Sequence, residues 1–500
     1  MLKKLLLTIY ILAAALVGGG ITAATASSDM LVVDLVNEPS TLDPHRQWNP
    51  DSYFVYRNIY DNLVTRDTAG KIVPQIATSW KAIDDTNIEF KIRTDVKFHD
   101  GSPLTAQDVV FSIKRITNPD FASPQLGQFN SIIDAVATAP DTIVITTGKP
   151  YPPLLAQLVK LSIVSKAYVE KVGDEELNLS PMGSGPYKFV AWQKGIKVEL
   201  EANADYWRGQ PPFAEVQFRA VKDAATRIAD LRTGKADLIV SLNSDNAAEL
   251  SSASDLSILS APTERVAYLM MNTQFGPLTD VRVRQAVAYA LDRQLIIDAL
   301  LGGYSQIIDA LLTPAHFGYV EGIKAYPYDP EKARELLAEA GYPDGVTVEL
   351  VTAPVFDQRI VQAIQQQLSK VGINVEISMG DMSTFLERRR ADPERFGDMV
   401  FGRWSCACQD ADGVLYAMFN SDSVWSKYAN PELDAHLEAG RSAMDPAVRL
   451  QHYKLALDII ADQVPSIALY QAAAIYGARK GLVWTPTANE SLFLMDMSWQ

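Results

Sequence analysis

Short runs in which apolar and polar residues alternate predict β-strands along the first 270 residues of the chain. Such runs lie at Leu31–Val36, Ile88–Ile92, Asp141–Thr147 and Lys188–Ala191, and residues that favour turns separate them. From Thr279 onward the apolar positions recur with the period of a helix. The first part of the chain is therefore expected to be rich in strands, and the second part to contain more helices.

The second part of the chain predicts alternating helices and strands. One apolar face from Val283 to Leu300 predicts a helix that ends at Gly302-Gly303. A second helix is expected from Asp329-Pro330 to Ala340. The elements expected next are strand Val346–Val351, helix Asp357–Val371, strand Ile373–Ile377, helix Met382–Arg390 and strand Asp398–Phe401. A β-α-β-α-β run of this kind predicts a parallel sheet.

The segment Lys97–Arg115, KFHDGSPLTAQDVVFSIKR, predicts a strand end, a tight turn and a helix. Val96–His99 is expected to end a strand, and Asp100-Gly101 to form the turn. Thr105 and Asp108 have the spacing of a capping box, in which a hydroxyl and a carboxylate bind backbone amides at the start of a helix. Taken alone, this segment indicates a β-turn-α unit and no particular function.

Together with VPQIATSW at Val73–Trp80, this segment resembles a signature of the extracytoplasmic solute-binding proteins of peptide, opine and nickel ABC importers. Further motifs follow in the order of that family: GSGPYKF (Gly183–Phe189), NADYWRGQPPF (Asn203–Phe213), LRTGKADL (Leu231–Leu238), YLMMNT (Tyr268–Thr273), PLTDVRVRQAVAYALDRQLII (Pro277–Ile297) and YDPEKARELLAEAGY (Tyr328–Tyr342). The resemblance implies a receptor without catalytic activity, which captures a solute and delivers it to a membrane permease driven by an ATPase.

The resemblance also implies an α/β fold of the Venus flytrap kind, with two hinged lobes and an extra subdomain in the first lobe. A chain of 500 residues is in any case too long for a single hydrophobic core. The expected ranges are 27–272 and 474–500 for lobe I, about 70–180 for its subdomain, and 273–473 for lobe II. Crossings between the lobes are expected near 272–276 and 470–476, because the last 30 residues return to short strands and loops.

The first 26 residues have the pattern of a secretory signal peptide. Lys3 and Lys4 precede an apolar run from Leu5 to Val17, and Ala24-Thr25-Ala26 provides a cleavage site. The run is shorter than the roughly 17–25 apolar residues that span a bilayer. Because no cysteine near the cleavage site provides a lipid anchor, we expect a freely soluble periplasmic monomer that meets its inner-membrane ABC permease transiently.

Composition argues against several classes of function. The formal net charge is −15 at pH 7, and it becomes −17 without the first 26 residues, which carry two lysines and no acidic residue. This acidic balance argues against nucleic acid as a partner, since that partner requires a basic surface. The patterns GxSxG, HExxH, CxxC, GxGxxG and the Walker motif are absent from the sequence. The sequence therefore indicates neither an enzyme nor a cofactor.

The segment Arg403–Gly413 is the main candidate for solute contact. Ligands of open α/β sheets bind outside the carboxyl ends of the strands, and this segment follows the last strand of the predicted parallel run. Its candidate residues are Arg403, Trp404, Ser405, Cys406, Asp410 and Asp412. The alternative interpretation is a loop whose tryptophan fills the core and whose aspartates cap a helix near Val414.

Cys406 and Cys408 are the only cysteines of the chain. An oxidising compartment favours a disulfide, but a separation of two residues leaves a small ring, so a disulfide and two thiols both stay open. A two-thiolate metal site would need further ligands, and no histidine lies close to these cysteines in sequence. We therefore expect no metal site.

The chain departs from the dipeptide receptors of the family at two anchor points. Ala407 stands where those receptors have an aspartate for the ammonium group of the ligand. The loop Thr352–Asp357 lacks the arginine with which they hold the ligand carboxylate. Asp410 or Asp412 is an alternative partner for an ammonium group, and Arg403 for a carboxylate. Peptide-like solutes, opines or sugar-type solutes, and nickel chelates all stay open.

In the first lobe, resemblance to oligopeptide receptors implies that Glu38, Ser40 and Thr41 reach the cleft. Phe129 and Tyr470 are further candidates for ligand contact. The plain alternatives are a turn at Thr41 and a core position for Phe129. The alternative function is a chemosensory or regulatory receptor on the same scaffold, which presents its liganded form to a membrane sensor.

Overall fold

The computed structural model describes residues 29–47 and 49–500, so the expected signal peptide lies outside the described residues. The strands are β1 (Met30–Leu35), β2 (Val64–Arg66), β3 (Ile72–Pro74), β4 (Ala77–Ala82), β5 (Asn87–Ile92), β6 (Ile132–Ala139), β7 (Thr142–Thr147), β8 (Tyr187–Gln193), β9 (Lys197–Ala202), β10 (Glu215–Ala220), β11 (Leu238–Ile239), β12 (Leu256–Met271), β13 (Val346–Thr352), β14 (Ile373–Met379), β15 (Met399–Trp404), β16 (Ser466–Arg479), β17 (Leu482–Val483) and β18 (Ser498–Trp499).

The helices are α1 (Pro50–Tyr56), α2 (Ala106–Thr117), α3 (Leu126–Phe129), α4 (Leu154–Leu158), α5 (Lys166–Leu179), α6 (Ala224–Arg232), α7 (Ser244–Leu250), α8 (Val281–Tyr289), α9 (Arg293–Leu300), α10 (Pro330–Glu339), α11 (Gln358–Ser369), α12 (Met382–Arg390), α13 (Pro393–Phe396), α14 (Ala417–Phe419), α15 (Pro431–Ser442) and α16 (Pro446–Gln463). A π-helical turn, Asp412–Tyr416, leads into α14. None of the helices in the described part of the chain has both the length and the apolar character that crossing a bilayer requires.

A ten-stranded mixed sheet runs through the molecule in the order β14-β13-β15-β12-β16-β11-β1-β10-β9-β8. At one end, β13 pairs in parallel with both β14 and β15. This pairing confirms the parallel sheet that the β-α-β-α-β pattern predicts. A separate antiparallel sheet has the order β4-β5-β7-β6.

Two long antiparallel strands, β12 and β16, connect the two halves of the large sheet. Their ladder is interrupted between Pro262 and Val266, which face Ala473 and Gln471. On one side of the interruption β16 pairs with β11, and on the other side β12 pairs with β15. The interruption therefore separates the two halves. This interruption lies earlier in the chain than 272–276, where the sequence predicts the first crossing between the lobes. The second predicted crossing, 470–476, includes the residues of β16 that face the interruption.

The apolar residues of the described chain form three large buried clusters and one smaller one. The first cluster includes Met270, Val287, Ile364 and Phe401. The second includes Leu31, Tyr56, Phe218 and Tyr476. The third packs β4–β7 against α2 and includes Phe90, Ile113 and Phe129. They occupy the regions expected for lobe II, lobe I and the inserted subdomain, whose exact boundaries stay a prediction.

The start of α2 confirms the expected capping box. Thr105 is the N-cap residue, and its backbone amide and hydroxyl both donate to the Asp108 carboxylate, at 2.9 and 2.7 Å. The strand expected at Val96–His99 is wrong, because Lys97 makes only an isolated bridge to Pro103 across the turn.

The single helix expected between Val283 and Leu300 is also wrong. The chain forms α8 and α9 instead, because the Asp292 carboxylate accepts a hydrogen bond from the Leu295 amide at 2.9 Å and caps a second helix. Asp292 thus begins a new helix as its N-cap residue and does not lie inside one continuous helix.

The turn before β8 packs against the backbone that follows α1. The Gly185 amide donates to the Ile59 carbonyl at 2.8 Å, and a Cβ atom on Gly185 would lie 2.7 Å from the Asn58 carbonyl oxygen. We expect Gly185→Ala to lower the free energy of unfolding by about 1–3 kcal/mol, because backbone must move to admit the methyl group. Urea denaturation measures the loss. Gly127→Ala is the matched control, since no heavy atom lies within 4 Å of its added Cβ; an equal loss in both variants would contradict this prediction.

Candidate functional site

Two adjoining cavities lie where the halves of the large sheet meet. One has a volume of about 810 Å³ and is called the large chamber here. The other, of about 640 Å³, is called the small chamber. Pro50, Phe54, Arg265 and Glu490 line both chambers. Each volume lies within the range of roughly 300–1,000 Å³ that is typical of ligand pockets.

The segment after β15 forms one wall of the large chamber. Its lining residues are Trp404, Ser405, Cys406, Ala407, Asp412 and Gly413. The Trp404 indole donates to the Gly413 carbonyl at 3.2 Å and packs edge-on against Trp425, with ring centroids 5.8 Å apart. These contacts fix the indole beside the chamber. Ligand contact by this segment stays a prediction.

Cys406 and Cys408 form a disulfide, with Cα atoms 5.0 Å apart. Cys406 lines the large chamber, whereas Cys408 is buried. The Cys408 carbonyl accepts a hydrogen bond from the guanidinium of Arg66, at the end of β2. The disulfide loop therefore makes a direct contact between the two halves of the molecule.

Asp410 and Asp412, the possible ammonium partners, are both bound by arginines. Asp410 lines neither chamber, and its two oxygens accept from Arg449 Nη2 at 2.8 and 3.0 Å. Asp412 lies 2.9 Å from Arg441 Nε and accepts from the Tyr151 hydroxyl at 2.8 Å. Burial raises the pKa of Asp412, and Arg441 opposes that rise. Both carboxylates are thus already bound by arginines, but Asp412 also lines the large chamber, so its contact with a solute stays a prediction.

Glu38, Ser40 and Thr41 line neither chamber. The Glu38 carboxylate accepts from the Gly195 amide at 2.8 Å, and the Thr41 hydroxyl donates to the Asn178 side-chain oxygen at 2.7 Å. Ser40 lies on the surface beside them. Because these three residues lie outside both chambers, the ligand contacts implied by the oligopeptide receptors stay a prediction.

Phe129 is fully buried in the core of the four-stranded sheet, as the plain interpretation of this residue had it. Its neighbours Gln128 and Asn130 line the large chamber instead, because the short helix α3 turns the ring inward.

Tyr470, on β16, lies in the wall of the small chamber. Burial raises the pKa of its hydroxyl to about 12.

Several ionisable residues of the large chamber are absent from the candidates taken from the sequence, among them Lys160, Glu264 and Arg265. Glu264 and Arg265 lie in the interruption of the β12 ladder, between Pro262 and Val266. Irregularities of this kind re-aim side chains that a regular strand would point elsewhere. No local pattern in the sequence marks this position, and Lys160 is joined to the site only by the fold.

Arg403 carries a guanidinium that forms no hydrogen bond or ion pair with the described residues. It lines the small chamber, with its guanidinium carbon 5.8 Å from the Phe356 ring centre. Arg265 differs, since its Nε donates to Glu490 at 2.6 Å. Burial and then the nearby Arg265 lower the pKa of Arg403. A guanidinium in this position is suited to bind a carboxylate with two parallel hydrogen bonds.

Glu264 carries the corresponding negative charge. Its carboxylate accepts from Gln409 Nε2 at 3.3 Å and makes no ion pair within the described chain. Burial raises its pKa to about 7, and Arg265 opposes that rise. The neighbouring Lys160 donates to the Gln128 side chain, and burial lowers its pKa to about 7.

Within residues 29–47 and 49–500, no group of three or more His, Cys, Asp or Glu residues is arranged for a metal ion.

Comparisons with known proteins agree with this architecture. The glutathione-binding protein GsiB of Shigella boydii serotype 4 is 30% identical over 480 residues, which cover 92% of each chain. DppA of Helicobacter pylori, solved with the peptide STSA, has a TM-score of 0.80 at 27% identity and covers 94% of this chain and 98% of its own. AgaA of A. tumefaciens R10, solved with agropinic acid, has a TM-score of 0.78 at 28% identity and covers 94% and 99%.

These structures confirm the two-lobed fold of periplasmic binding proteins that the sequence motifs imply. The model of the bacterial extracellular solute-binding proteins, family 5, matches residues 71–426. Members of this family bind small solutes and work with ABC permeases, without catalysis. This chain belongs to family 5 of the bacterial extracellular solute-binding proteins, and it is a solute receptor of an ABC importer.

Proposed function

We propose that the solute is a short, peptide-like zwitterion held between the two lobes. The observation that carries this proposal is the pair of unmatched charges in adjoining chambers, the Arg403 guanidinium and the Glu264 carboxylate. GsiB is named for glutathione and DppA was solved with a peptide, so peptide-like ligands occur among the relatives.

In this proposal each end of the solute meets one unmatched charge. Arg403 binds the carboxylate, and Glu264 accepts hydrogen bonds from the ammonium group. Leaving either partner buried and unpaired would cost several kcal/mol, so the two charges select a zwitterion over a neutral molecule. The Trp404 indole offers an apolar wall for the part of the solute between its ends.

Several polar contacts join the two lobes, including the ion pair of Arg359 with Asp245 at 2.9 Å. Tyr151 and Arg66 on one side meet Asp412 and the Cys408 carbonyl on the other. The interruption of β12 near Pro262 is the place at which the two halves of the sheet can change their angle, as in hinged receptors. The lobe boundaries that we propose therefore follow this interruption and the opposite segment of β16.

The remaining parts of the proposal concern the cellular setting. We propose that residues 1–26 direct export and are then removed, and that the mature protein acts as a periplasmic monomer. The proposed receptor performs no reaction on its solute and presents the closed form to the inner-membrane permease.

Isothermal titration with a small panel of solutes tests the zwitterion proposal. The panel contains glutathione, a free tetrapeptide, agropinic acid, and the same tetrapeptide with acetylated and amidated ends. We expect binding of a free peptide or of glutathione and at least about a hundredfold weaker binding of the blocked peptide, since two charge pairs are lost. Equal affinity for free and blocked peptides, or binding of agropinic acid alone, would contradict the proposal.

The affinity is expected to rise with pH, by about tenfold between pH 5.5 and 7.5. Burial raises the pKa of Glu264 to about 7, so the free receptor holds a proton on this carboxyl below that pH. An ammonium ligand stabilises the anionic form, and binding therefore releases a proton at low pH. Loss of the Lys160 charge above about pH 7 acts in the same direction, because it removes a competing cation. Titrations at several pH values measure this slope.

Glu264→Gln is expected to bind weakly and to lose most of the pH dependence. Glu38→Gln is the matched control, since Glu38 lines neither chamber. A Glu264→Gln variant that keeps the wild-type slope would show that another group is titrating.

A further inference from the structure

A third cavity, of about 400 Å³, lies in lobe I outside the two chambers. It is called the arginine chamber here, because Arg57, Arg66, Arg93 and Arg208 line it. Its walls are the β2–β3 hairpin, the segment after β9 and the segment before β18. Tyr53 and Asn489 line both this cavity and the large chamber, so the two spaces adjoin.

Arg57 is 97% buried and is incompletely satisfied. Its Nη2 donates to the Thr65 hydroxyl at 2.8 Å, and the guanidinium carbon lies 4.6 Å from the Phe493 ring centre. Its Nη1 has no hydrogen-bond partner among the described residues. A buried donor without a partner costs about 1–3 kcal/mol. This donor is therefore available to a bound anion.

Arg208 faces the same cavity from the exposed side. It forms no hydrogen bond or ion pair within the described part of the chain, and its guanidinium carbon lies 5.5 Å from the Phe493 ring centre. Arg93 differs, because Asp95 accepts from its Nε and Nη2 at 2.9 and 2.7 Å. Arg57 and Arg208 thus form no ion pair with a described residue, and Asp496 is the cavity carboxylate that interacts with both electrostatically.

The two aspartates of the arginine chamber do not balance its four arginines. The Asp67 carboxylate accepts from the backbone amides of Ala69 and Lys71, at 3.0 and 2.9 Å, and these hydrogen bonds stabilise the turn between β2 and β3. Asp496 is exposed and forms no ion pair with a described residue. Burial raises the pKa of Asp496, and the positive charges of Arg208 and Arg57 oppose that rise. The chamber therefore keeps an excess of positive charge.

We propose that the arginine chamber binds an anionic group, a carboxylate or a phosphate, between Arg57 and Arg208. Charge-assisted hydrogen bonds from two guanidinium groups suit such an oxygen cluster. The indole of Trp207 and the ring of Phe493 give the site apolar walls. The anion is either free in solution or is a second acidic group of a solute that extends from the large chamber past Tyr53. The site does not depend on the zwitterion proposal.

Inorganic phosphate is the first probe, with thermal unfolding and titration calorimetry of the full chain as readouts. The variants are Arg208→Gln, whose exposed side chain is not needed for packing, and Arg57→Gln. Arg282→Gln is the matched control, since this exposed arginine pairs with Asp280 away from the cavity. If the anion is free, phosphate stabilises the wild type and the control, and binds Arg208→Gln at least about tenfold more weakly.

The second probe is a pair of tripeptides that differ only in a glutamate or glutamine side chain. If the anion belongs to the solute, Arg208→Gln weakens binding of the glutamate peptide by about tenfold and leaves the glutamine peptide unchanged. Either pattern supports the site. It is overturned if neither phosphate nor the glutamate peptide distinguishes Arg208→Gln from the wild type. That failure leaves the cleft proposal standing, since that proposal depends on Arg403 and Glu264.

Discussion

Replacement of Arg403 by Gln is expected to weaken solute binding by about a hundredfold or more. Truncating one partner of a desolvated charge pair costs about 2–5 kcal/mol, and each 1.4 kcal/mol is a factor of ten in affinity. Arg403 has no carboxylate partner among the described residues, so its removal leaves none of them unpaired in the free receptor. The loss is therefore expected in affinity and not in stability. Titration calorimetry and urea denaturation separate the two.

Arg265→Gln provides a comparison within the same cavity. Arg265 already binds Glu490 at 2.6 Å, so its loss leaves Glu490 unpaired and lowers stability as well as affinity. Arg282→Gln, far from the chambers, is expected to change neither property. An Arg403→Gln variant that binds the solute like the wild type would remove this guanidinium from the site.

Replacement of Arg115 by Ala is expected to lower the free energy of unfolding by about 3–5 kcal/mol. The Arg115 side chain is 5% exposed, and its Nη2 lies 2.6 Å from both Asp43 and Asp174. Asp43 is fully buried, so the variant leaves its negative charge with the partly exposed Arg46, whose Nε lies 3.6 Å away, as a much weaker partner. Urea denaturation measures the loss.

Lys114→Ala is the matched control for this prediction. Lys114 is exposed, pairs with Asp134 at 3.1 Å, and is expected to contribute at most about 1 kcal/mol. Equal losses in the two variants would show that the buried network around Arg115 contributes little. The solute affinity of Arg115→Ala, measured below its unfolding transition, is expected to stay unchanged, because Arg115 lines neither chamber.

The elements that the sequence predicts correctly are those set by local patterns. The capping box at Thr105, the proline start of α10 at Pro330 and the parallel order of β13–β15 all depend on residues close in sequence. The apolar pattern does not predict the break between α8 and α9, because the apolar face continues across it while Asp292 caps the second helix. The apolar pattern there predicts one continuous helix, whereas the capping aspartate predicts the start of a second one. The structure follows the cap.

The functional site was predictable only in part, because its charges are matched over long distances in sequence. The sequence makes Asp410 a ligand candidate, but Arg449, 39 residues later in the chain, donates to its carboxylate at 2.8 Å. The sequence does not mark Glu264 as a site residue, because no motif includes it. An interruption of strand β12 places it at the cavity. The sequence predicts that the segment Arg403–Gly413 lies beside a cavity, because topology places the end of a parallel strand there; its contact with the solute stays a prediction.

The Lys97–Arg115 segment illustrates the difference between identifying a scaffold and identifying a solute. Its last residue, Arg115, joins Asp43 and Asp174 in the framework of the first lobe. This segment therefore identifies the family and contributes to the stability of the fold. In our proposal the solute is selected elsewhere, by the residues around Arg403, Glu264 and Trp404.

Mass spectrometry of the solute released from freshly purified, denatured protein tests the central claim most directly. We predict a peptide-like zwitterion, close to one per protein chain, in the wild type and little or none in Arg403→Gln. A neutral sugar, a metal chelate, or the same solute at equal occupancy in both proteins would contradict the assignment of the cleft to a zwitterion.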